Sequence, residues 1–391
     1  MKAYEIKPNV YWVGVIDWNL RNFHGYETSR GGTYNAYLIL DEKITLIDNV
    51  DHLFSDELIK YISSIIDPSK IDVIISNHGE PDHSGSLKKM LSLAPHAEVY
   101  ATANGEKILK AQYGDIQVHT VKNGETLSIG KRTLRFIHTP MVHWPDNMIT
   151  YDETDRILFS NDAFGQHIAS SNRTDEEYSL DVYLFELKKY YANIVLPYSV
   201  QAKKAFEVVK TLTIDMICPS HGLIIKQYLK QTLETYEHMV NHHKKKHAIV
   251  IYDTMWGSTE KMAIAIADAF ISQHIPTTVY NINRAQASDL VLEMMEATYV
   301  AIGSPTLNNG MLSTIAGFLH YIKGLRPMNL SYLAFGSYGW GGQSPKLIDQ
   351  ALEEMGYQRL IEAARQYFVP TAESLNELQQ KLVEALQAPQ L

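Results

Sequence analysis

Four side chains able to bind a metal ion lie within six residues of the chain. They are His78, Glu80, Asp82 and His83 in the stretch Asn77-His-Gly-Glu-Pro-Asp-His83. Gly79 and Pro81 separate them, and neither residue suits the interior of a helix. We therefore expect a loop that turns its ligands towards one point. A polar surface loop is the simplest alternative, but further ligand types at the ends of other segments favour a metal site.

Three more candidate ligands follow segments with the composition of β-strands. His143 comes after residues 134–139, Asp162 follows residues 157–161, and His221 follows residues 216–220. The apolar run 71–76 leads into the first cluster in the same way. Sheet proteins collect their binding sites at strand ends. The sequence therefore predicts one metal centre built from His78, Glu80, Asp82, His83, His143, Asp162 and His221.

These seven residues also balance the charge of two divalent ions. Glu80, Asp82 and Asp162 supply three negative charges, and one bridging hydroxide would neutralise the charge that remains, as a buried site requires. If one carboxylate bridges, the set fills about three to four positions on each ion and leaves open positions for a small substrate. A set without thiolate suits iron or manganese at least as well as zinc, and iron is the redox-active choice.

The elements that must position these ligands alternate between strand and helix patterns. Short β-branched and aromatic runs suggest a meander at 10–17, 35–40 and 44–48, and helical patterns follow at 55–66 and from about Ser86. Further strands are predicted near 98–101, 117–121, 133–138, 148–151 and 156–160, with helices near 180–192 and 200–211. Strand-rich segments flanked by helices predict an αβ/βα layered sandwich.

The pattern changes near residue 247 to a regular βαβ alternation. An apolar strand at 248–253 runs into a hydroxyl-rich turn at 254–259 and an amphipathic helix at 260–271, which together form an anion site. Strands at 299–304 and 332–335 end in the loops 305–310 and 336–342, at the edge where a doubly wound sheet binds ligands. The glycine spacing fits neither a Rossmann nor a Walker motif. We interpret the basic run 241–247 as a solvated linker and expect domains at 1–246 and 247–391.

Composition limits the function further. A length of 391 residues with 45% hydrophobic residues suits two globular domains, and no run approaches the roughly 20 apolar residues of a membrane helix. The net charge of −9 argues against a nucleic-acid partner. The single cysteine, Cys218, excludes a disulfide framework and an iron–sulfur cluster within this chain. We expect a cytoplasmic protein with no membrane partner.

The ligand pattern resembles the metallo-β-lactamase fold and, more particularly, the flavodiiron proteins, also called A-type flavoproteins. Zinc hydrolases of that fold usually carry His where this chain has Glu80, and the carboxylate favours iron. One departure is Ile225, where many family members carry Trp. The flanking segments that match are Phe23-His-Gly-Tyr26, Thr33-Tyr-Asn-Ala-Tyr37, His143-Trp-Pro-Asp146 and Phe159-Ser-Asn-Asp-Ala-Phe-Gly165. The implied fold is a metallo-β-lactamase-like αβ/βα sandwich (α+β) followed by a doubly wound, flavodoxin-like parallel sheet (α/β).

The resemblance implies a role for each site residue. One iron would take His78, Glu80 and His143, the other Asp82, His83 and His221, with Asp162 and a hydroxide or oxo group as bridges. His24 is either part of a packed connection or a residue at the entrance of the metal site. Tyr198 lies where the family has an aromatic residue near the irons, and Trp340 would pack beside the flavin or reach the partner subunit's metal site.

The second half resembles flavodoxin and implies bound FMN. Thr254, Ser258 and Thr259 are the expected hydroxyl donors to its phosphate, and the two later loops would flank the isoalloxazine ring. The predicted FMN-binding residues are Thr254, Met255, Trp256, Gly257, Ser258, Thr259, Ser304, Pro305, Thr306, Leu307, Asn308, Asn309, Gly310, Ser337, Tyr338, Gly339, Trp340, Gly341 and Gly342.

The activity implied by the resemblance is reduction of oxygen to water, nitric oxide to nitrous oxide, or both, with oxygen as the first expectation. Electrons would pass from FMN to the iron pair, in a head-to-tail homodimer or a dimer of dimers. A separate donor, such as rubredoxin or a reduced flavin or deazaflavin system, would supply them. Two alternatives remain open: a dimetal hydrolase of the same fold, and an electron-transfer flavoprotein whose metal domain is structural.

Overall fold

Two mixed sheets in the first part of the chain carry every candidate metal ligand at or near their strand ends. The structure is a computed structural model and describes residues 2–388. Contacts between residues divide the chain into one unit of residues up to 191 plus 198–241, and a second unit of residues 192–197 plus 242 onwards. Within residues 2–388, no helix combines the length and apolar character needed to cross a bilayer.

The strands of the first unit are short. In chain order they are β1 (Tyr4–Lys7), β2 (Val10–Trp12), β3 (Val15–Asp17), β4 (Asn22–Phe23), β5 (Tyr26–Glu27), β6 (Gly32–Tyr34), β7 (Tyr37–Ile39), β8 (Thr45–Ile47), β9 (Val73–Ile75), β10 (Glu98–Ala101), β11 (Val118–Thr120), β12 (Thr126–Ser128), β13 (Thr133–His138), β14 (Met148–Asp152), β15 (Ile157–Asn161) and β16 (Met216–Pro219). The helices are α1 (Ser55–Ser63), α2 (Pro81–Ser84), α3 (Leu87–Leu93), α4 (Ala103–Tyr113), α5 (Leu180–Tyr190), α6 (Ser199–Val209) and α7 (Leu229–Val240).

The strands form a sheet with the order β1-β2-β7-β8-β9-β10-β11 and a second sheet with the order β12-β13-β14-β15-β16. Alternation along a strand divides the core into layers. In β9, Val73 and Ile75 belong to the core between the two sheets, where they join Phe136 and Phe159. Ile74 faces the other way, into the core that the first sheet shares with α1, α3 and α4. The result is the predicted αβ/βα sandwich.

The run predicted as one strand at 10–17 is two strands. β2 pairs with β1 and β7, whereas β3 pairs with β6 in a separate two-stranded ribbon. The break falls at Gly14, where the chain at 34–36 crosses so closely that an added Cβ would lie 2.6 Å from the Cα atom of Asn35. A glycine is therefore required at the crossing, and the strand changes partner there.

The expected ligand loop contains a turn of helix. Residues 81–84 form α2, with Pro81 in its first turn and Glu80 as the residue before it. Proline is favoured at this position, because its missing N–H would have no helical partner in any case. Asp82 and His83 therefore project from a short helix, while His78 and Glu80 precede it in extended chain.

The second unit contains a parallel sheet covered by helices on both faces. Its strands are β17 (Lys245–Tyr252), β18 (Thr277–Asn281), β19 (Ala297–Gly303), β20 (Ser331–Tyr338), β21 (Gln358–Arg359) and β22 (Ala364–Tyr367), and its helices are α8 (Ser258–Ser272), α9 (Ala287–Glu296), α10 (Ser313–Leu325), α11 (Ser344–Glu354) and α12 (Ala372–Gln387). The order is β18-β17-β19-β20-β21, with β22 also paired to β20. Val250 packs with Ile266 and Leu382 on the face covered by α8 and α12.

The basic segment expected to be a linker is partly a strand. β17 begins at Lys245, where Lys245 pairs with Ala297 of β19. The Nζ atom of Lys244 donates hydrogen bonds to the carbonyl oxygens of Met294 and Met295 at 3.1 and 3.0 Å. These contacts anchor the basic run to the end of α9, and the predicted boundary after residue 246 falls inside β17.

Candidate functional site

The seven predicted ligands converge into two buried groups. One group contains His78, Glu80, His143 and Asp162, and the other contains Asp82, His83 and His221; within each group, one potential ligand atom per residue lies within 4.8 Å of all the others. The ligands come from both sheets: β9 of the first sheet leads to His78 and Glu80, β15 and β16 of the second sheet lead to Asp162 and His221, and α2 adds two more. Sequence separations of up to 143 residues, between His78 and His221, are closed in this way.

Asp162 belongs to both groups. Its Oδ2 atom lies 3.7 Å from His78 Nε2 and 3.6 Å from His143 Nε2, whereas its Oδ1 atom lies 3.1 Å from His83 Nε2 and 3.5 Å from His221 Nε2. The two oxygens of one carboxylate thus face two different sets of imidazoles. This is the arrangement expected of a carboxylate that bridges two ions.

Each group has a second carboxylate. Glu80 Oε2 lies 3.1 Å from His78 Nε2 and 3.2 Å from His143 Nε2. Asp82 Oδ2 lies 3.3 Å from His83 Nε2 and 3.2 Å from His221 Nε2. Donors bound about 2.0–2.2 Å from one ion must lie roughly 3 Å from their neighbours, so these separations suit a metal ion in each group.

Buried polar atoms without hydrogen bonds provide a further test of fit. Six buried atoms of the site have no hydrogen-bond partner among residues 2–388. They are Asp82 Oδ1 and Oδ2, His83 Nδ1 and Nε2, Asp162 Oδ2 and His221 Nε2. Native proteins pair almost all such atoms with a donor, an acceptor or an ion. Nitrogen and carboxylate donors without thiolate fit two iron ions.

The charges of the site reinforce one another. Burial raises the pKa of the Asp162 carboxyl, but the imidazoles of His83, His78 and His143 lower it more strongly, so that the pKa lies well below its usual range. Burial lowers the pKa of His83, yet the carboxylates of Asp82 and Asp162 raise it to about 9. The Asp162 carboxylate is therefore held in its ionised form.

Neighbouring groups fix the orientation of the ligands. His78 Nδ1 lies 3.1 Å from Asp146 Oδ2, and His221 Nδ1 lies 2.7 Å from the carbonyl oxygen of Thr33. In each ring the second nitrogen, Nε2, is thereby directed at the carboxylates. Metal-binding histidines are usually oriented by such a hydrogen bond from the nitrogen remote from the ion.

Residues outside the ligand set also contact the carboxylates. The Tyr190 hydroxyl donates to Asp162 Oδ1 at 3.0 Å. His24 Nε2 lies 2.9 Å from Glu80 Oε1, and the His24 side chain is 45% exposed, which places it where the metal site opens to solvent. Among the described residues, no hydrogen bond joins Tyr198 to a ligand. The aromatic hydroxyl that contacts Asp162 is that of Tyr190.

Two residues that contact the site lie outside the predicted set: Tyr190, and Asp146 at the end of the segment His143-Trp-Pro-Asp146. Tyr190 ends helix α5, 28 residues after Asp162, and no local pattern marks it as a site residue. Asp146 carried a weak signal, since it lies three residues after His143 and follows Pro145 in a polar turn.

The second unit contains a cavity of about 730 Å³ at the carboxyl ends of its strands. All three predicted loops line it, and Phe368 and Val369, which follow β22, add an apolar wall that the sequence did not reveal. The predicted residues that line the cavity are Met255, Trp256, Ser258, Pro305, Thr306, Leu307, Asn308, Asn309, Ser337, Tyr338, Gly339 and Trp340. Its volume suits a flavin nucleotide.

The remaining predicted FMN residues are Thr254, Gly257, Thr259, Ser304, Gly310, Gly341 and Gly342, and they lie outside that lining. Some of them shape the loops. The Thr254 hydroxyl accepts a hydrogen bond from Gly257 N at 3.0 Å, and Gly257 has a φ of +81° immediately before α8. The Thr259 and Ser337 hydroxyls share a hydrogen bond of 2.9 Å. The first residue of α8, Ser258, contributes to the lining, so the positive end of the helix dipole faces the cavity.

Two different protein families match the two parts of the chain. Residues 33–222 match the family model described as ODP family beta lactamase, and residues 250–384 match the flavodoxin model. The chain is 41% identical to a nitric oxide reductase of Moorella thermoacetica over 95% of this chain and 94% of the relative. It is 39% identical to the rubredoxin-oxygen oxidoreductase of Megalodesulfovibrio gigas over 99% of both. The flavodiiron protein of Giardia intestinalis has a similar structure, with a TM-score of 0.95, 34% identity, and coverage of 98% and 96%.

Proposed function

The chain belongs to the flavodiiron protein family, and we propose that it reduces oxygen to water and nitric oxide to nitrous oxide to remove these gases. It is an oxidoreductase with FMN and a diiron site as its cofactors. The reactions balance as O2 + 4 e⁻ + 4 H⁺ → 2 H2O and 2 NO + 2 e⁻ + 2 H⁺ → N2O + H2O. When bound, FMN supplies electrons and the iron pair supplies the positions at which a gas is reduced.

The single observation that supports this proposal most strongly is the divided carboxylate of Asp162. One oxygen faces His78 and His143, and the other faces His83 and His221. We therefore propose His78, Glu80 and His143 as ligands of one iron and Asp82, His83 and His221 as ligands of the other, with Asp162 as the bridge. A hydrolytic site needs no electrons, whereas a reductive site needs an electron donor, which the flavin domain of this chain can supply.

The protein's own groups have distinct tasks in this proposal. Asp146 and Thr33 orient two imidazoles, and Tyr190 holds one oxygen of the bridging carboxylate. His24 holds the outer oxygen of Glu80 at the solvent-exposed side of the site. These contacts fix the ligands before any substrate binds, so little reorganisation is needed during the reaction.

The flavin domain would hold FMN with its phosphate at the first turn of α8 and its ring between the loops 305–310 and 336–342. Trp256 and Trp340 are 92% and 82% exposed at the cavity in the second unit. They line this cavity together with Phe368 and Val369, which are also exposed, and an exposed apolar patch of this kind marks a ligand or partner site. We propose that both contact FMN, and that Trp340 also reaches the metal site of a partner subunit in a head-to-tail dimer.

An external donor must supply the electrons. The relative from Megalodesulfovibrio gigas is named for oxidation of rubredoxin, and we propose rubredoxin, or a reduced flavin or deazaflavin system, for this chain. We also propose a cytoplasmic location, because its one cysteine, Cys218, is a free and buried thiol. A reducing compartment suits such a protein.

Turnover with the two gases in parallel tests the proposal. The iron-loaded, FMN-loaded protein is reduced with one artificial donor, and the loss of oxygen or nitric oxide is followed together with water, peroxide and nitrous oxide. Oxygen loss without peroxide supports the oxygen reductase, and nitrous oxide formation supports the nitric oxide reductase. Loss of neither gas, with full cofactors and hydrolysis of an ester or lactam, would overturn the proposal in favour of a hydrolase.

A pair of variants separates the metal site from the flavin site. Asp162→Ala removes the proposed bridge and should abolish gas reduction while the FMN content stays normal. Glu57→Ala removes an exposed carboxylate on α1 and should change neither property. If Asp162→Ala still reduced either gas at the normal rate, the metal site would have no part in the reaction.

A further inference from the structure

Arg365 on strand β22 is an exposed cation beside the flavin cavity of the second unit. β22 pairs with β20 so that Arg365 lies opposite Gly336, where the loop 336–342 begins. Three residues after Arg365, the chain supplies Phe368 and Val369 to the lining of the cavity. The strand pairing therefore places this arginine at the edge of the flavin site.

Two contacts hold the Arg365 guanidinium against the loop 336–342. Its Nη2 atom donates a hydrogen bond to the carbonyl oxygen of Gly341 at 3.2 Å, and its Cζ atom lies 5.1 Å from the centre of the Tyr338 ring. The face of an aromatic ring attracts a cation at this distance. A Cβ atom at Gly342, whose φ is +72°, would lie 2.6 Å from Nη2. The loop therefore needs a glycine there to accommodate the guanidinium.

The charge of Arg365 is not neutralised by a carboxylate. Neither of its two contacts is acidic, and within residues 2–388 it forms no ion pair. The described residues that line the flavin cavity are all uncharged, and Tyr338 is one of them. The guanidinium thus lies one residue behind an uncharged lining. Charges interact more strongly near such a lining than across bulk water.

Reduction of FMN changes the charge of its ring. Two electrons from the external donor and one proton from solvent convert the neutral oxidised ring into an anion, while the phosphate keeps its charge. A fixed cation beside the ring therefore stabilises the reduced form more than the oxidised form. The same cation favours binding of reduced FMN over binding of oxidised FMN, because the two effects are thermodynamically linked.

We propose that Arg365 is a positioning residue that raises the reduction potential of bound FMN. It places a positive charge behind Tyr338 and holds the loop that carries Trp340. The proposal deepens the proposed function and rests on it through the bound FMN, but it does not depend on which gas is reduced.

Redox titration of the iron- and FMN-loaded protein, followed by flavin absorbance, tests the proposal. Arg365→Gln removes the charge, and Arg365→Lys keeps it. At a fixed potential, the ratio of reduced to oxidised FMN should fall about tenfold in Arg365→Gln, equivalent to about 30 mV for a two-electron couple. The ratio in Arg365→Lys should lie closer to that of the natural chain.

Arg326→Gln is the matched control, because it removes another exposed arginine of the same unit. Arg326 follows the last residue of α10, about 18 Å along that helix from Ser313 at its start. The ratio of reduced to oxidised FMN should be unchanged in this variant.

Salt separates an effect of charge from an effect of loop shape. The Debye length falls from about 10 Å at 0.1 M salt to about 3 Å at 1 M salt, so the difference between the natural chain and Arg365→Gln should shrink. An unchanged potential in Arg365→Gln overturns the proposal, and so does an equal fall in Arg365→Lys or a difference that salt does not reduce.

The outcomes also separate this proposal from the proposed function. A holoprotein whose FMN potentials follow these expectations, but which consumes neither gas, overturns the proposed function alone. A chain that binds no FMN overturns both. The potential is measured without gas turnover, and therefore identifies which of the two has failed.

Discussion

Asp146 joins two ligand-bearing segments through one oxygen atom: its Oδ2 lies 3.1 Å from His78 Nδ1 and accepts a hydrogen bond from Gly79 N at 2.6 Å. Asp146 itself lies three residues after His143 in sequence. Its other oxygen, Oδ1, is buried and has no hydrogen bond within residues 2–388. The carboxylate therefore both orients the His78 ring and places a buried negative charge next to it.

Replacing Asp146 separates these two effects. Asp146→Asn can keep an acceptor oxygen at the Oδ2 position and loses only the charge, whereas Asp146→Ala loses both. We expect iron affinity to fall about 10- to 100-fold in Asp146→Ala, the usual cost of losing such a supporting group, and by less in Asp146→Asn. Iron content after dialysis against chelators of increasing strength measures this.

Asp181→Asn is the matched control, because Asp181 is exposed in the first turn of α5. The prediction concerns retention of metal and does not depend on a gas assay. Equal iron retention in Asp146→Ala and the control would show that Asp146 does not support a metal ligand.

Tyr190 and Tyr183 provide a matched pair on one helix. Both are buried in α5, but Tyr190 donates to the proposed bridge Asp162, whereas the Tyr183 hydroxyl shares a hydrogen bond of 2.8 Å with Thr232. Each Tyr→Phe change should cost about 1 kcal/mol of stability, the usual value of one hydrogen bond. Only Tyr190→Phe should alter the Mössbauer spectrum of the iron pair and reduce gas turnover, because only that hydroxyl contacts a ligand. Identical spectra and turnover in the two variants would contradict a role for Tyr190 at the site.

The loops of the flavin cavity depend on hydroxyl groups that do not line it. Thr254→Val and Thr259→Val preserve side-chain shape and remove the hydrogen bonds to Gly257 N and to Ser337. Each change should weaken FMN binding about tenfold, because a lost hydrogen bond of about 1.4 kcal/mol loosens the phosphate loop. FMN fluorescence, which is quenched on binding, gives the dissociation constant. Thr298→Val is the control, since the Thr298 hydroxyl in β19 donates to the carbonyl oxygen of Lys245 in β17. An equal loss of affinity in this variant would indicate general destabilisation.

Local patterns predicted which residues would cluster as candidate ligands, because metal chemistry restricts residue type. His78 and Glu80 stand out in a short segment, and Asp162 and His221 follow apolar strands. The division of the Asp162 oxygens between two groups depends on side-chain geometry and could not be derived from the pattern. The family resemblance supplied it as an expectation.

Contacts between distant segments explain what sequence did not reveal. The hydrogen bond from Tyr190 to Asp162 connects a helix end to a strand end, and Phe368 joins the flavin cavity only because β22 pairs beside β20. The strand predicted at 10–17 divides because a second segment crosses at Gly14. Each of these three features depends on tertiary packing and not on the local preference of the sequence.

We expect Lys244 to make the stability of the second unit depend on pH. Its Nζ atom donates to the carbonyl oxygens of Met294 and Met295, and burial lowers the pKa of this lysine to about 7, against the opposing effect of Glu296. An unfolded lysine has a pKa near 10.4, so between about pH 7 and 10 the unfolded state binds more protons than the folded state. The free energy of unfolding should therefore rise with pH across this window, by up to about 1.4 kcal/mol per unit, and should be lowest below pH 7.

Lys244→Met should flatten this rise, whereas Lys246→Met, which changes an exposed neighbour, should leave it intact. Thermal release of FMN at a series of pH values measures the effect, and an identical pH dependence in the two variants would exclude Lys244 as its source.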